Sequence, residues 1–184
     1  RTARKLGFNA QRTMQAAQKL YEGVDDQGGL ITYMRTDGLS VSPEGIAQAR
    51  EVIGDRFGPA YVPEQPRYYQ TKVKNAQEAH EAIRPAGQEF TPPEVVRHQL
   101  NEDAFRLYDL IWKRTVACQM ADARGTHIGV HIDCGRARFR ATGKTVEFPG
   151  FLRAYVEGSD DVEAELADQE RVLPKLVAGE ALQL

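Results

Sequence analysis

The hydrophobic periodicity of this chain changes once, near residue 121, and that change limits the fold classes open to it. Up to residue 120, apolar residues recur at helical spacing in several segments. From Thr126 to Ile132, apolar and polar residues alternate with a period of two, as in a half-buried strand. The pattern predicts an α+β fold in which a helical domain is followed by antiparallel β-strands.

Capping residues and prolines set the expected helix ends. Asn9 is a good N-cap, and Ser42-Pro43 combines a cap with proline at the first helical position. Asn75 to Glu78 have the capping-box pattern, which predicts a short helix from Ala76 to Ile83. The predicted helices are 10–22, 43–57, 76–83, one opened by Thr91-Pro92-Pro93-Glu94, and 102–120.

The β-prone segments are shorter. Leu30 to Tyr33 is expected to be a short strand or an extended segment. After the 126–132 strand and a turn at 133–136, two more strands are expected at 138–141 and 144–148, on either side of Thr142-Gly143. The predicted organisation is a helical domain over 1–120, strands over 121–156 and an acidic third segment over 157–184.

Charge and cysteine content indicate the kind of partner and the cellular compartment of the protein. Residues 1–20 carry five basic side chains and no acid, whereas residues 157–170 carry seven acids and no base. A basic start suits an anionic partner, although two solvated faces explain the same charges. Cys118 and Cys134 are too far apart for a metal knuckle and are expected to be reduced thiols, which favours a cytoplasmic protein. Since helical pattern is under way at the first residues, we expect a piece of a longer protein.

Tyr33 lies where an apolar stretch turns polar. A tyrosine hydroxyl, with its usual pKa near 10, attacks phosphate only with help from a proton acceptor or a cation. Arg35 has a planar fork that matches two phosphate oxygens. His80 and Arg84, four apart on the predicted helix, are candidates for a proton-shuttling imidazole and a second phosphate ligand. Taken singly, each of these residues is explained as well by packing, solvation or, for Asp37, a turn.

Two separate stretches together resemble the signatures of one family. Leu30-Ile31-Thr32-Tyr33-Met34-Arg35-Thr36-Asp37 is similar to the active-site signature of bacterial type IA DNA topoisomerases. Gln77-Glu78-Ala79-His80-Glu81-Ala82-Ile83-Arg84-Pro85 resembles a second signature of that family. The resemblance extends from Leu6-Gly7-Phe8 to Leu173-Pro174, almost the whole chain. Met34 favours the topoisomerase I branch, and Gly38 departs from the serine common at that position.

The resemblance implies a mechanism. Tyr33 would attack a single-stranded DNA phosphodiester and become linked to the 5′ phosphate. Another strand would pass through the gap before religation, so that negative supercoils relax without ATP. Arg35 would hold the scissile phosphate, and His80 would assist by position and hydrogen bonding. Further DNA contacts are expected from three residues: Thr36, Asp37 and Arg84.

The resemblance also implies how the chain relates to a whole enzyme. Residues 1–120 resemble domain III, which carries the tyrosine; residues 121–156 resemble strands of the arch, domain II; residues 157–184 resemble the start of domain IV. The family's Mg²⁺ is held by acids of a Toprim domain, which lies outside this chain. We expect no metal site here, because Asp161, Glu163 and Glu165 belong to a run of solvated acids. The expected partners are single-stranded DNA, negatively supercoiled duplex and the missing parts of the same enzyme, in the bacterial nucleoid; the fragment alone is expected to be inactive.

Other interpretations of the motifs are weaker or compete at a coarser level. The zinc-protease pattern fails because Arg84 stands where a second ligand is required. Tyrosine recombinases differ in the spacing and order of their histidine, arginine and tyrosine. A non-catalytic nucleic-acid-binding module, or a scaffold domain with Tyr33 in its core, remains an alternative that the sequence leaves open.

Overall fold

The chain folds as two units, Arg1–Ala121 and Asp122–Leu184, in a computed structural model. The structure describes residues 5–23, 28–36, 38–69, 81–87, 90–156, 162–168 and 170–181. The first unit is built from helices, and the second contains two paired antiparallel strands. The predicted combination of helices with antiparallel strands is confirmed.

Four helices of the first unit lie where capping and periodicity predict them. The helices α1, α2 and α4 begin after Asn9, Ser42 and Asn101, and each of these side chains accepts a backbone N–H three residues further on. The short helix α3 continues into a 3₁₀ turn. The bounds are Ala10–Glu22 for α1, Pro43–Phe57 for α2, Pro93–Val96 for α3 and Glu102–Gln119 for α4.

Helix α4 lies at the centre of the hydrophobic core of the first unit. Trp112 and Tyr108 on its buried face are 1% exposed, and both direct their polar atoms to backbone carbonyls. The Trp112 indole donates to the Phe90 carbonyl at 3.4 Å, and the Tyr108 hydroxyl donates to the Thr91 carbonyl at 2.8 Å. The segment that precedes α3 is thereby fixed against α4, since buried polar groups need partners.

The proline-rich loop after α2 packs against the end of α4. A 3₁₀ turn covers Pro59–Tyr61. Gln119, fully buried at the end of α4, pairs with the backbone of Arg67: its amide oxygen accepts at 3.1 Å and its amide nitrogen donates at 2.8 Å. Tyr69 donates to the Cys118 carbonyl at 2.9 Å. The loop therefore has tertiary partners along its length.

The prediction of a helix from Ala76 to Ile83 is wrong at its described end. Residues 81–83 are not helical, and residues 76–80 lie outside the described part. The Ala82 amide donates to the Ser40 carbonyl at 2.7 Å instead of to a carbonyl one helical turn back. Long-range hydrogen bonds thus replace the local ones that the capping pattern favours.

The second unit is centred on a hairpin of β1, Arg124–Cys134, and β2, Ala137–Phe148, which pair along their whole length. The turn contains Gly135, whose φ is 57°. The prediction of two separate strands around Thr142-Gly143 is wrong, because β2 runs straight through these residues. Two short helices follow, α5 at Arg153–Val156 and α6 at Val162–Ala167.

The glycine at position 143 of β2 makes room for another segment of the chain and does not mark a turn. A β-carbon at this position would lie 2.9 Å from Leu173 Cγ and 3.0 Å from the Arg171 carbonyl oxygen. Lys144 and Arg171 form an isolated antiparallel bridge beside it. Glycine in a strand interior commonly marks such a close backbone approach.

Within the described residues, no helix is both long enough and apolar enough to cross a membrane.

Candidate functional site

The two signature stretches meet in the structure. Ile31 and Pro85 form an isolated antiparallel bridge, and the expected strand over Leu30–Tyr33 is limited to that bridge. The Thr32 amide donates to the Arg84 carbonyl at 2.9 Å, and the Ala86 amide donates to the Leu30 carbonyl at 2.9 Å. Residues that are about fifty positions apart in sequence thus fix the backbone immediately before Tyr33.

Thr32 adds a side-chain connection to the same junction. Its hydroxyl donates to the Ala82 carbonyl at 2.9 Å and accepts the Arg84 amide at 3.0 Å. A hydroxyl that both donates and accepts uses its bonding capacity in two directions and so fixes its own rotamer. Sequence reasoning assigned Thr32 no role, and a single sequence carries no signal that would have found one.

Tyr33 is half-buried beside α1. Its ring packs edge-on against the ring of Tyr21, with centroids 5.3 Å apart and an interplanar angle of 64°. This arrangement is a favourable one for two aromatic rings. The contact fixes the ring of Tyr33 from the α1 side while hydrogen bonds with 82–86 fix the preceding backbone. Tyr33 is therefore held from two directions.

Arg35 is exposed and lines an open groove of about 620 Å³ along α1. In the described part of the chain it forms no hydrogen bond or ion pair. Its guanidinium is available for an anion. The other lining residues come from one face of α1: Gln11, Met14, Gln15, Gln18, Lys19 and Glu22.

The charge of the groove is moderately positive. Lys19 and Arg35 contribute two cations, and Glu22 contributes one carboxylate that already accepts a hydrogen bond from Gln18. The remaining polar side chains are neutral amides, which hydrogen-bond to either phosphates or bases. The groove can therefore accept an anionic chain without a large opposing field.

Arg84 is placed differently from Arg35. Its side chain is 12% exposed, and each of its three guanidinium nitrogens donates to a protein oxygen. Two of them form a bidentate pair with Glu81, at 2.8 Å from Nε to Oε2 and 2.9 Å from Nη2 to Oε1. The predicted role of Arg84 as a DNA ligand competes with this pairing.

The other predicted site residues are located as follows. The Thr36 hydroxyl oxygen accepts the Gly38 amide at 3.0 Å, a local turn contact. His80 and Asp37 lie outside the described residues. Among the described residues, the structure thus brings Tyr33 and Arg35 to the side of α1. It places Arg84 against Thr32, the residue before Tyr33.

Among the described side chains, no group of three or more histidines, cysteines or carboxylates is arranged to hold a metal ion. The described residues near Tyr33 offer mainly hydroxyl, amide and guanidinium groups. The two carboxylates, Glu22 and Glu81, already accept hydrogen bonds from Gln18 and Arg84, so this set does not fit Mg²⁺, which prefers several carboxylate oxygens and water. These residues offer a phenol held against α1 and, two residues further along the chain, an exposed cation.

Comparisons with known proteins agree with the motifs. A family model described as DNA topoisomerase matches residues 1–184. DNA topoisomerase 1 of Streptomyces coelicolor is 54% identical over 185 residues, and that of Synechocystis is 52% identical over 177 residues. The alignments cover 98% and 96% of this chain but 19% of each relative. The chain therefore spans about a fifth of the length of the curated relatives it matches.

A solved structure supports the same relationship. Full-length topoisomerase I from Thermotoga maritima superimposes with a TM-score of 0.68 at 37% sequence identity. The match covers 84% of this chain and 25% of that protein. Sequence and structure thus point to one group of relatives.

Proposed function

The chain belongs to the bacterial DNA topoisomerase family, and from that premise we propose that it carries the nucleophile and the phosphate clamp of a type IA enzyme. Tyr33 is the nucleophile, Arg35 the clamp, and His80 an assisting residue. One observation carries the assignment. Two distant signature stretches are hydrogen-bonded to each other through Leu30 and Thr32, immediately before Tyr33, while Arg35 is exposed without a protein partner in the described part of the chain.

The proposed reaction exchanges one phosphoester for another. The phenolic oxygen of Tyr33 forms a bond to phosphorus in a single DNA strand, and the bond from phosphorus to the 3′ oxygen breaks. The proton lost by the phenol is balanced by the proton gained at the new 3′ hydroxyl. Because one ester bond replaces another, religation by the 3′ hydroxyl needs no ATP. Passage of a second strand between the two steps relaxes negative supercoils.

Arg35 supports this reaction through its charge and its geometry. Negative charge develops on the phosphate oxygens as the phenolic oxygen approaches, and a guanidinium fork stabilises two of them at once. The groove along α1 leads to Arg35 and adds Lys19, so a strand lying there meets two cations. Thr36 and Asp37 are proposed as further DNA contacts next to the clamp. Arg84, whose guanidinium is already paired with Glu81, is less suited to bind DNA.

The metal that the family uses is assigned to another part of the enzyme. The resemblance places Mg²⁺ in a Toprim domain, and the described residues of this chain do not fit it. We therefore derive no step through the metal. The substrate is single-stranded DNA within negatively supercoiled duplex, and the proposed location is the bacterial nucleoid.

Plasmid relaxation tests the proposal. A full-length protein that contains this chain is expected to relax negatively supercoiled plasmid with Mg²⁺ and without ATP. The 184-residue chain alone is expected to bind DNA weakly and to leave the plasmid supercoiled. Gel mobility of the plasmid measures both. Relaxation by the isolated chain would show that the division of the site between domains is wrong, and an inactive full-length protein that still binds DNA would favour the non-catalytic module.

A further inference from the structure

We propose that the Glu81–Arg84 ion pair is a positioning device for Tyr33, and that Arg84 acts through the backbone and not as a DNA ligand. The inference rests on the proposed function of Tyr33 and deepens it. Glu81 and Arg84 are 29% and 12% exposed at their side chains, so the pair is largely withdrawn from solvent. A bidentate arginine–carboxylate pair fixes orientation as well as distance.

The pair joins two segments. Nη1 of Arg84 donates to the Pro85 carbonyl at 2.9 Å, which fixes the side chain against its own backbone. Nη2 reaches the Ser42 hydroxyl at 3.4 Å, and the Ser42 amide donates to Glu81 Oε2 at 3.3 Å. Ser42 is the N-cap of α2. The pair therefore fastens the 81–86 segment to the start of a helix.

The backbone of Arg84 connects the ion pair to the proposed nucleophile, Tyr33. The carbonyl and amide of Arg84 bond to the amide and hydroxyl of Thr32, the residue immediately before Tyr33. A shift of Arg84 is thus passed to Thr32 by two hydrogen bonds and from there to Tyr33 by one peptide bond. Because a misplacement of about 1 Å costs roughly a hundredfold in rate, such a restraint has catalytic value.

Removing the pair separates the possible roles of Arg84. In the full-length protein, Glu81→Gln and Arg84→Gln are each expected to slow formation of the covalent DNA adduct at least tenfold. DNA affinity should change less than about twofold, and the double variant should be no slower than the slower single variant. Asp133→Asn is the matched control, since it removes a bidentate but exposed pair with Arg138 in the hairpin; it should leave the rate unchanged.

The direction in which Glu81→Gln changes DNA affinity and cleavage rate decides between positioning and DNA binding by Arg84. A phosphate-binding Arg84 would be released by this change, so DNA affinity would rise and the cleavage rate would be maintained. Arg84→Gln would then reduce the slope of log affinity against log salt concentration by about one, because one phosphate contact is lost. Either result would overturn the inference. A lowered melting temperature with an unchanged adduct rate would also overturn it, because the role would then be structural only.

A variant that keeps both partners tests the same idea from α2. A β-carbon added at Gly45 would lie 2.8 Å from Arg84 Nε, 3.0 Å from its Cδ and 3.0 Å from Val41 Cγ1, so Gly45→Ala crowds the arginine most closely and Val41 as well. Gly54→Ala on the same helix is the control, because its nearest contact is Val62 Cγ2 at 3.9 Å. We expect Gly45→Ala to slow adduct formation at least fivefold relative to Gly54→Ala. Equal rates would contradict the inference.

Hydrogen exchange provides a test that does not depend on cleavage. The amides of Thr32 and Ala86, which bond across the junction, should exchange at least tenfold faster in Arg84→Gln than in wild type, whereas amides of the hairpin should be unaffected. If wild type forms no DNA adduct, the proposed function fails, and exchange still decides whether the pair holds the segment. Unchanged exchange at Thr32 would refute the positioning role.

Discussion

Two arginines of the signature stretches differ in a way that residue type does not reveal. Arg35 is exposed on a groove, and Arg84 is 12% exposed with every guanidinium nitrogen engaged. A cation whose donors are already satisfied has little left for a phosphate, and moving it would leave a carboxylate without its partner. The two side chains therefore suit different tasks, binding for Arg35 and positioning for Arg84.

The role of Arg35 is tested by substitution in the full-length protein. Arg35→Ala should slow DNA cleavage by about 10²–10³-fold, because one stabilising group of the transition state is lost. Arg35→Lys should retain part of the rate through its charge but lose the fork geometry. Single-turnover cleavage of a labelled oligonucleotide measures the rate, with the exposed Arg136→Ala as control. Unchanged cleavage by Arg35→Ala would exclude it as the clamp.

Tyr108 gives the first unit a pH dependence. Burial raises the pKa of its phenol above the usual value of 10, whereas the unfolded chain ionises the group near pH 10. Below pH 10 the group therefore gives the free energy of unfolding no pH dependence. Above pH 10 the free energy of unfolding falls, by up to about 1.4 kcal/mol per pH unit, because only the unfolded chain loses the proton. Tyr108→Phe should remove this slope in denaturant unfolding between pH 10 and about 11.5. The exposed Tyr68→Phe should keep it; equal slopes in wild type and Tyr108→Phe would disprove the assignment.

At the scale of elements, the hairpin depends on one glycine and not on another. The pairing of β1 and β2 has an irregularity next to Gly125, where a β-carbon would lie 2.0 Å from the Thr145 carbonyl oxygen. At Gly129 the nearest atom would be Arg140 Nη2 at 3.9 Å. The backbone itself blocks a side chain at the first position and leaves space at the second.

Alanine substitutions of these glycines should therefore differ. We expect Gly125→Ala to destabilise the hairpin by about 1–3 kcal/mol, since the strands must separate locally. Gly129→Ala should remain within about 0.5 kcal/mol of wild type. Hydrogen exchange of the paired hairpin amides measures both. Similar protection in the two variants would show that the close approach at Gly125 does not constrain the strands.

Sequence patterns predicted elements well where local signals decide and failed where tertiary contacts do. Helices α1 and α4 were found because each combines a capping asparagine with a long apolar stripe. The 81–83 segment was missed because Ala82 bonds to Ser40 and Thr32, partners that no local pattern identifies. Gly143 suggested a turn, whereas it accommodates Leu173 within a continuous strand.

At the scale of the whole molecule, the site could be predicted in part. The two signature motifs predict Tyr33 and Arg35 as site residues, and the structure adds that the motifs are joined through Thr32 and Arg84. The connection depends on side-chain orientation, which a motif does not encode. The chain spans about a fifth of the length of its curated relatives. That the family's Mg²⁺ is held by a domain outside this chain is what the resemblance implies, and it stays a prediction.

The most direct measurement of the central claim is the identity of the residue that becomes linked to DNA. The full-length protein is incubated with single-stranded oligonucleotide, denatured and digested, and the DNA-linked peptide is identified by mass spectrometry. The account predicts a phosphodiester on Tyr33, joined to the 5′ end of the cleaved strand, and no adduct with Tyr33→Phe. An adduct formed by Tyr33→Phe, or one mapped to another residue, would contradict it.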